Sequence, residues 1–258
     1  MKINQVALQL YTLRNFLGTP EAVETTLRKV AAVGYQAVQI SGMPAGVLTE
    51  AAMLALCKSL NLTICATHES GQTILEDVQK VISRLKALDC IYTAYPYPAG
   101  VDIGSYESVT GLIRGLNAAG EAMARSGQVL TYHNHHTELQ KVKGQLVLER
   151  IYAETEPKFL QGEIDTYWIQ YGGGDPVDWC RRLAGRLPLL HMKDYVLTSD
   201  GTPRFGYIGE GNLNFCAIVE AAEKSGCQWF IVEQDTCPGD PFEAIKQSFD
   251  YIAANLVG

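Results

Sequence analysis

The chain has 258 residues, 47% apolar and 19% charged, with a formal net charge of −7. That length carries one large hydrophobic core or two small ones, and the acidic balance, with no basic cluster longer than Arg181-Arg182, argues against nucleic acid as a partner. No apolar run approaches the ~18 residues that span a bilayer, and the start MKINQVALQLYTLR lacks the apolar core and cleavage site of a signal peptide.

Seven cysteines (57, 65, 90, 180, 216, 227, 237) are scattered, odd in number and without a C-x-x-C pair. They read as reduced, mostly buried thiols, which places the protein in the cytoplasm.

In chain order, short apolar runs alternate with amphipathic stretches bounded by helix caps. The runs are INQVALQL (3–10), YQAVQI (35–40), LTICAT (62–67), CIYTAY (90–95), QVLTYH (128–133), FLQGEI (159–164), LPLLHM (187–192) and WFIVEQ (229–234). The helical stretches are 20–34, 49–61, 74–88, 109–127, 175–185, 214–226 and 240–256. Pro20 suits a first helical turn, Gly34 the residue past the end, and Thr49 a cap. Strands that alternate with helices pair in parallel through right-handed crossovers. Eight such units over residues 1–258 predict one α/β domain, a (β/α)8 TIM barrel. A doubly wound sheet is disfavoured, because the first run leads into QLYTLRNFLG (9–18) without a G-x-G-x-x-G phosphate fingerprint.

Buried parallel strands should be almost wholly apolar. Polar residues at their C-terminal ends therefore mark the mouth where barrel active sites lie. The eight ends carry Gln9 and Tyr11; Gln39 and Ser41; His68 and Glu69; Tyr95 and Tyr97; His133 and His135; Glu163 and Asp165; His191, Lys193 and Asp194; Glu233 and Asp235. Four of the five histidines sit at strand ends, and the fifth, His136, adjoins one. Side chains two apart on a strand face together, so His133 pairs with His135, and Glu163 with Asp165. His136 has the wrong parity and reads as exposed. So many like charges in one mouth call for a cation, and mixed imidazole and carboxylate donors suit Mn, Zn, Co or Fe(II). The GGG at 172–174 reads as a flexible turn, since Asp175 already caps the following helix.

The motifs LQLYTLR (8–14), YHNHHTEL (132–139), EIDTYW (163–168), LLHMKD (189–194), IGEGNLNF (208–215) and IVEQD (231–235) resemble, in order, those of the sugar phosphate isomerase/epimerase family. This is the xylose isomerase-like barrel group, which includes inosose dehydratases and ketose 3-epimerases. The resemblance covers essentially the whole chain. It implies one divalent metal, commonly Mn, Zn or Co, held at the ends of strands five to eight. Asp165, His191 and Glu233 match three ligand positions. The fifth strand carries glutamate in many relatives; here either His133 takes that place or Glu138 reaches back. Ketose epimerases carry a histidine where this chain has Trp168, which weakens the epimerase reading.

The expected activity is isomerisation or epimerisation of a keto-sugar or related polyol by proton abstraction beside a carbonyl, through a metal-stabilised enediolate. An inosose-type dehydratase is the alternative, and an inactive sugar-binding protein is the third reading. Glu233 and His135 are expected as the acid/base pair, since a base with a pKa near 7 favours His135 or a metal-coupled Glu233. Glu138 and Lys193 are further catalytic candidates. Lys193 or His68 would hold substrate hydroxyls, Tyr11, Tyr95 and Trp168 would wall the sugar, and Arg204 would bind an oxygen. No phosphate clamp is evident, which favours an unphosphorylated sugar or cyclitol. A homo-oligomer is possible; neither nucleic acid nor membrane is expected as a partner.

Overall fold

The computed structural model describes residues 1–258. Eight parallel strands form a closed barrel, each beside its sequence neighbour and the eighth beside the first. They are Val6–Gln9, Ala37–Ile40, Thr63–His68, Tyr92–Tyr95, Val129–His133, Leu160–Asp165, Leu189–Met192 and Trp229–Val232. Each lies within the run expected for it or overshoots it by one residue. The first run is shortened because Ile3–Gln5 forms a 3-10 turn.

Side-chain alternation divides the apolar residues into two cores. Val6 and Leu8 belong to the large core that also holds Val38, Leu190, Val232 and residues of the helices. Ala7, between them, belongs to a small cluster with Ala37, Cys65, Ala66, Leu189 and Ile231. That cluster fills the barrel interior. Two residues further along the same faces come Gln9, Gln39, His191 and Glu233, all buried. A polar layer therefore sits directly on the apolar floor.

The helices begin and end where caps dictate. Thr19 accepts from the N–H of Ala22, and Gly34, at φ 121°, ends the helix Pro20–Val33. Thr49 accepts from the N–H of Ala52 at the start of Glu50–Ser59. The stretch 74–88, expected as one helix, is two: Gly71–Glu76 and Val78–Ala87. Asp77 divides them, because its side chain caps the second helix by accepting from Lys80 N–H while its own backbone turns to φ −143°, ψ 59°. Two short helices, Val147–Ala153 and Thr166–Tyr171, and a hairpin of Asp194–Leu197 with Pro203–Gly206 complete the parts that bear on the site. No helix is long and apolar enough to cross a membrane.

Asp194 does not pair with Lys193. Its carboxylate accepts from the N–H groups of Tyr195, Gly209 and Gly211 at 2.8–2.9 Å, so it ties the hairpin to the loop ahead of the next helix. The long helix Tyr106–Arg125 approaches the sheet at Gly120. A β-carbon there would lie 1.9 Å from the Phe159 carbonyl oxygen. Alanine usually stabilises a helix interior by about 1 kcal/mol over glycine; here the enforced backbone shift, of the overpacking kind that costs ~1–3 kcal/mol, should win. Gly120→Ala is expected to lower unfolding stability by at least ~1 kcal/mol, measured by urea denaturation; a more stable variant would contradict this packing.

Candidate active site

The polar layer forms one connected network. Gln9 Nε2 donates to Gln39 Oε1 at 2.8 Å, and Gln39 Nε2 donates to Glu163 Oε2 at 2.9 Å. The other oxygen, Glu163 Oε1, lies 2.5 Å from His68 Nε2, 3.0 Å from His191 Nε2 and 3.2 Å from His133 Nδ1. Strand register makes this possible, since His133 lies beside Glu163, and Asp165 beside His191.

Above this layer the same two histidines turn their other nitrogens outward. His191 Nδ1 lies 2.9 Å from Glu233 Oε2 and 4.0 Å from Asp165 Oδ2. His133 Nε2 lies 3.8 Å from Asp165 Oδ2. Lys193 places its ammonium 3.1 Å from Asp165 Oδ2, 2.8 Å from Glu233 Oε2 and 2.7 Å from Asp235 Oδ1. All of these groups except Asp235 are almost wholly shielded from solvent.

The charges follow from this packing. Burial works against the charge on Glu163, but His191, His68 and the hydrogen bonds to it win and hold its carboxyl well below the usual range. His191 is pushed the other way, to about 10: burial opposes its charge, and Glu163 and Glu233 overcome it. Asp165 is raised to about 6, by burial against the pull of Lys193. Burial and the Lys193 charge drive His135 down to about 3. It is therefore neutral near pH 7, rather than poised there as expected.

Two overlapping sets of donors could hold an ion: His68, His133, Glu163 and His191, or His133, Asp165, His191 and Glu233. In each set the donor atoms lie within 4.8 Å of one another. The residues fit a divalent transition metal. The donors are the mixed imidazole and carboxylate type, and Asp165 Oδ2 makes no aligned hydrogen bond, its one charged neighbour in the mouth being the Lys193 ammonium at 3.1 Å. The second set is the quartet expected from the sequence.

A cavity of about 560 Å3 opens over this layer, lined among others by Tyr11, His68, His133, His135, Lys193 and Glu233. Four expected residues lie elsewhere. Tyr95 is 1% exposed and stacks on Tyr132 outside the barrel, because Tyr92 and Ala94 take the inward parity of its strand; Tyr97 lines the cavity instead. Trp168 stands behind the wall, with its ring 5.3 Å from that of His135 and 5.0 Å from that of His136. Arg204 is held by Glu210 on the hairpin and lines a separate cavity with Tyr207 and Gln234. Glu138 is fully buried and accepts from the Tyr132 hydroxyl, the Thr137 hydroxyl and His135 N–H at 2.9, 2.7 and 3.2 Å. Geometry thus brings His133, not Glu138, to the quartet. His136 is exposed, as its parity predicts. Gln9, Gln39, Glu163 and Asp235, marked in the sequence as polar strand ends but given no role there, join the site.

The family model for the xylose isomerase-like TIM barrel matches residues 27–255. The chain belongs to that family. An inosose dehydratase of Mesomycoplasma hyopneumoniae is 27% identical over 92% of this chain and 89% of its own length. A sugar phosphate isomerase/epimerase from Parabacteroides distasonis superposes with a TM-score of 0.84 at 22% identity, over 99% of this chain and 96% of that one. An L-ribulose 3-epimerase superposes with a TM-score of 0.78 at 14% identity, over 99% and 95%. At those identities the two structures establish the barrel, not the reaction. The relatives named are enzymes.

The role of Glu138 is directly testable. Glu138→Ala removes the acceptor of three groups and should cost about 1–3 kcal/mol of stability, read by urea unfolding, while metal binding by calorimetry stays intact. Loss of metal binding in a folded variant would make Glu138 a ligand after all.

Proposed function

We propose that the protein is a divalent-metal-dependent enzyme that removes the proton from the carbon beside the carbonyl of a keto-sugar or inosose. The observation that carries this reading is the convergence of His133, Asp165, His191 and Glu233 beneath a polar cavity. These four would hold the ion, with Mn, Zn or Co the best matches to such donors.

Glu233 and His135 are the acid/base candidates that reach the cavity. Lys193 holds the Glu233 carboxyl well below its usual value although burial opposes it, and His135 sits at about 3. Both are thus unprotonated near neutral pH and able to accept a proton, but both are weak bases. Weak bases need an acidified C–H, and polarisation of the carbonyl and balance of its developing negative charge is what a divalent ion supplies when bound. The Lys193 ammonium, held by Asp235 at the cavity wall, is the available donor to a substrate oxygen. Tyr11 and Tyr97 line the cavity as well.

Return of the proton to the carbon skeleton gives an isomer or epimer, and this is the first reading. Dehydration is the second: the same proton is lost and a hydroxyl leaves from the next carbon. The full-length resemblance to an inosose dehydratase favours it, as does Trp168 in the place where ketose epimerases carry histidine.

Keto-sugars and inososes incubated with Mn-loaded protein in D2O should discriminate. Solvent deuterium at the carbon beside the carbonyl, with product of unchanged formula, marks isomerisation; product lighter by one water marks dehydration. No exchange and no product across the panel would overturn the reading. His135→Asn should lower kcat by about 10²–10⁴-fold with metal content unchanged; a change of less than about threefold would reduce His135 to wall.

A further inference from the structure

Glu163 has no part in the chemistry described so far, yet it sits at the centre of the histidines. One of its oxygens faces three imidazole nitrogens, at 2.5, 3.0 and 3.2 Å. Its other oxygen is fixed by Gln39 Nε2, and Gln39 is in turn fixed by Gln9. A buried carboxylate with both oxygens engaged has little freedom to move.

The two donor sets share His133 and His191, and each ring presents a different nitrogen to each set. Towards Glu163 point His133 Nδ1 and His191 Nε2; towards Asp165 and Glu233 point His133 Nε2 and His191 Nδ1. A neutral imidazole has one lone-pair nitrogen and one N–H. Whichever nitrogen binds an ion, the other must donate. The two sets are therefore alternatives, and the proton on each ring decides between them.

The spacings differ on the two sides, although His191 Nδ1 and Glu233 Oε2 within the quartet also stand 2.9 Å apart. Around Glu163 Oε1 they are 2.5 Å from His68, 3.0 Å from His191 and 3.2 Å from His133. Around Asp165 Oδ2 they open to 3.8 Å from His133 and 4.0 Å from His191. Two donors on one ion with bonds of ~2.1 Å stand no more than ~4.2 Å apart, and these two spacings fall inside that limit.

We propose that Glu163 is a positioning residue: it takes the N–H of His133 Nδ1 and, together with Gln39 Oε1 at 2.6 Å, that of His191 Nε2, so that the opposite nitrogens aim lone pairs at the ion between Asp165 and Glu233. This rests on the metal reading above. Outer carboxylates that accept from ligating imidazoles fix the tautomer and strengthen the ligand, and their loss commonly costs ~10–100-fold in metal affinity. The chain thus uses its second carboxylate on strand six to steer the histidine that ends strand five. Asp165, two residues further on, remains the ligand on that strand.

Zinc is a diamagnetic probe, and with five histidines in the chain the imidazole nitrogens of 15N-labelled protein are resolvable by long-range proton–nitrogen correlation. In zinc-loaded protein the expected pattern is metal on Nε2 and proton on Nδ1 for His133, with the reverse for His191. The opposite pattern, metal on His133 Nδ1 and His191 Nε2, would put the ion on the Glu163 side and overturn the assignment. Glu163→Gln should weaken zinc binding by about 10–100-fold in chelator competition, and Glu163→Asp, which keeps the carboxylate, should lose less. Wild-type affinity in a folded Glu163→Gln variant would also overturn it. Should that variant not fold, the wild-type tautomer pattern decides alone. Wild-type protein that takes up no zinc, manganese or cobalt would instead remove the metal reading itself, and the inference with it.

Discussion

Four carboxylates, Glu163, Asp165, Glu233 and Asp235, share one barrel mouth, and the first three are buried. Left alone, such a group would repel itself and lose its hydration at a cost of several kcal/mol per ion. The Lys193 ammonium, within 3.1 Å of three of them, and His191, between Glu163 and Glu233, are what hold it together. The rest of the site is arranged around this compensation. An ion seated in the quartet would take over carboxylates that Lys193 otherwise neutralises and would leave Asp235 to hold the ammonium at the cavity wall. On the proposed function, one lysine would then serve both the stability of the mouth and the handling of substrate oxygen.

The barrel makes this arrangement possible through parity. Small residues such as Ala7 and Ala37 fill the interior, and the next inward position on each strand carries Gln9 or Gln39. Register then decides which polar ends meet. His133 beside Glu163, and Asp165 beside His191, puts an imidazole next to a carboxylate on each neighbouring pair. The strands supply rigid positions and the loops supply support: Glu138 braces Tyr132 and the backbone of His135, and Asp194 ties down the hairpin beyond strand seven.

The eight strands were legible because buried parallel strands are nearly continuous apolar runs, and a polar residue at the end of one is conspicuous. The quartet His133, Asp165, His191 and Glu233 could be named on those grounds together with the family resemblance. What failed depended on facts that a single strand does not carry. Tyr95 was placed in the cavity by nearness to a strand end, but its parity sends it outward. Arg204 was drawn towards the substrate by loop position, whereas the antiparallel hairpin sets it opposite Val196 and Glu210, just beyond the hairpin, holds its guanidinium. Asp77 splits a helix whose apolar period runs on unbroken, because a cap is a local hydrogen bond and leaves no mark on periodicity. Glu163 was visible as a facing partner of Asp165, but only cross-strand register shows that it meets three histidines.

The account turns on where a divalent ion sits. Anomalous diffraction from crystals of the zinc- or manganese-loaded protein tests that directly. A single peak in reach of His133 Nε2, Asp165 Oδ2, His191 Nδ1 and Glu233 Oε2 is the predicted result. A peak beside His68 and Glu163, or none at any site in crystals grown with excess metal, would contradict it.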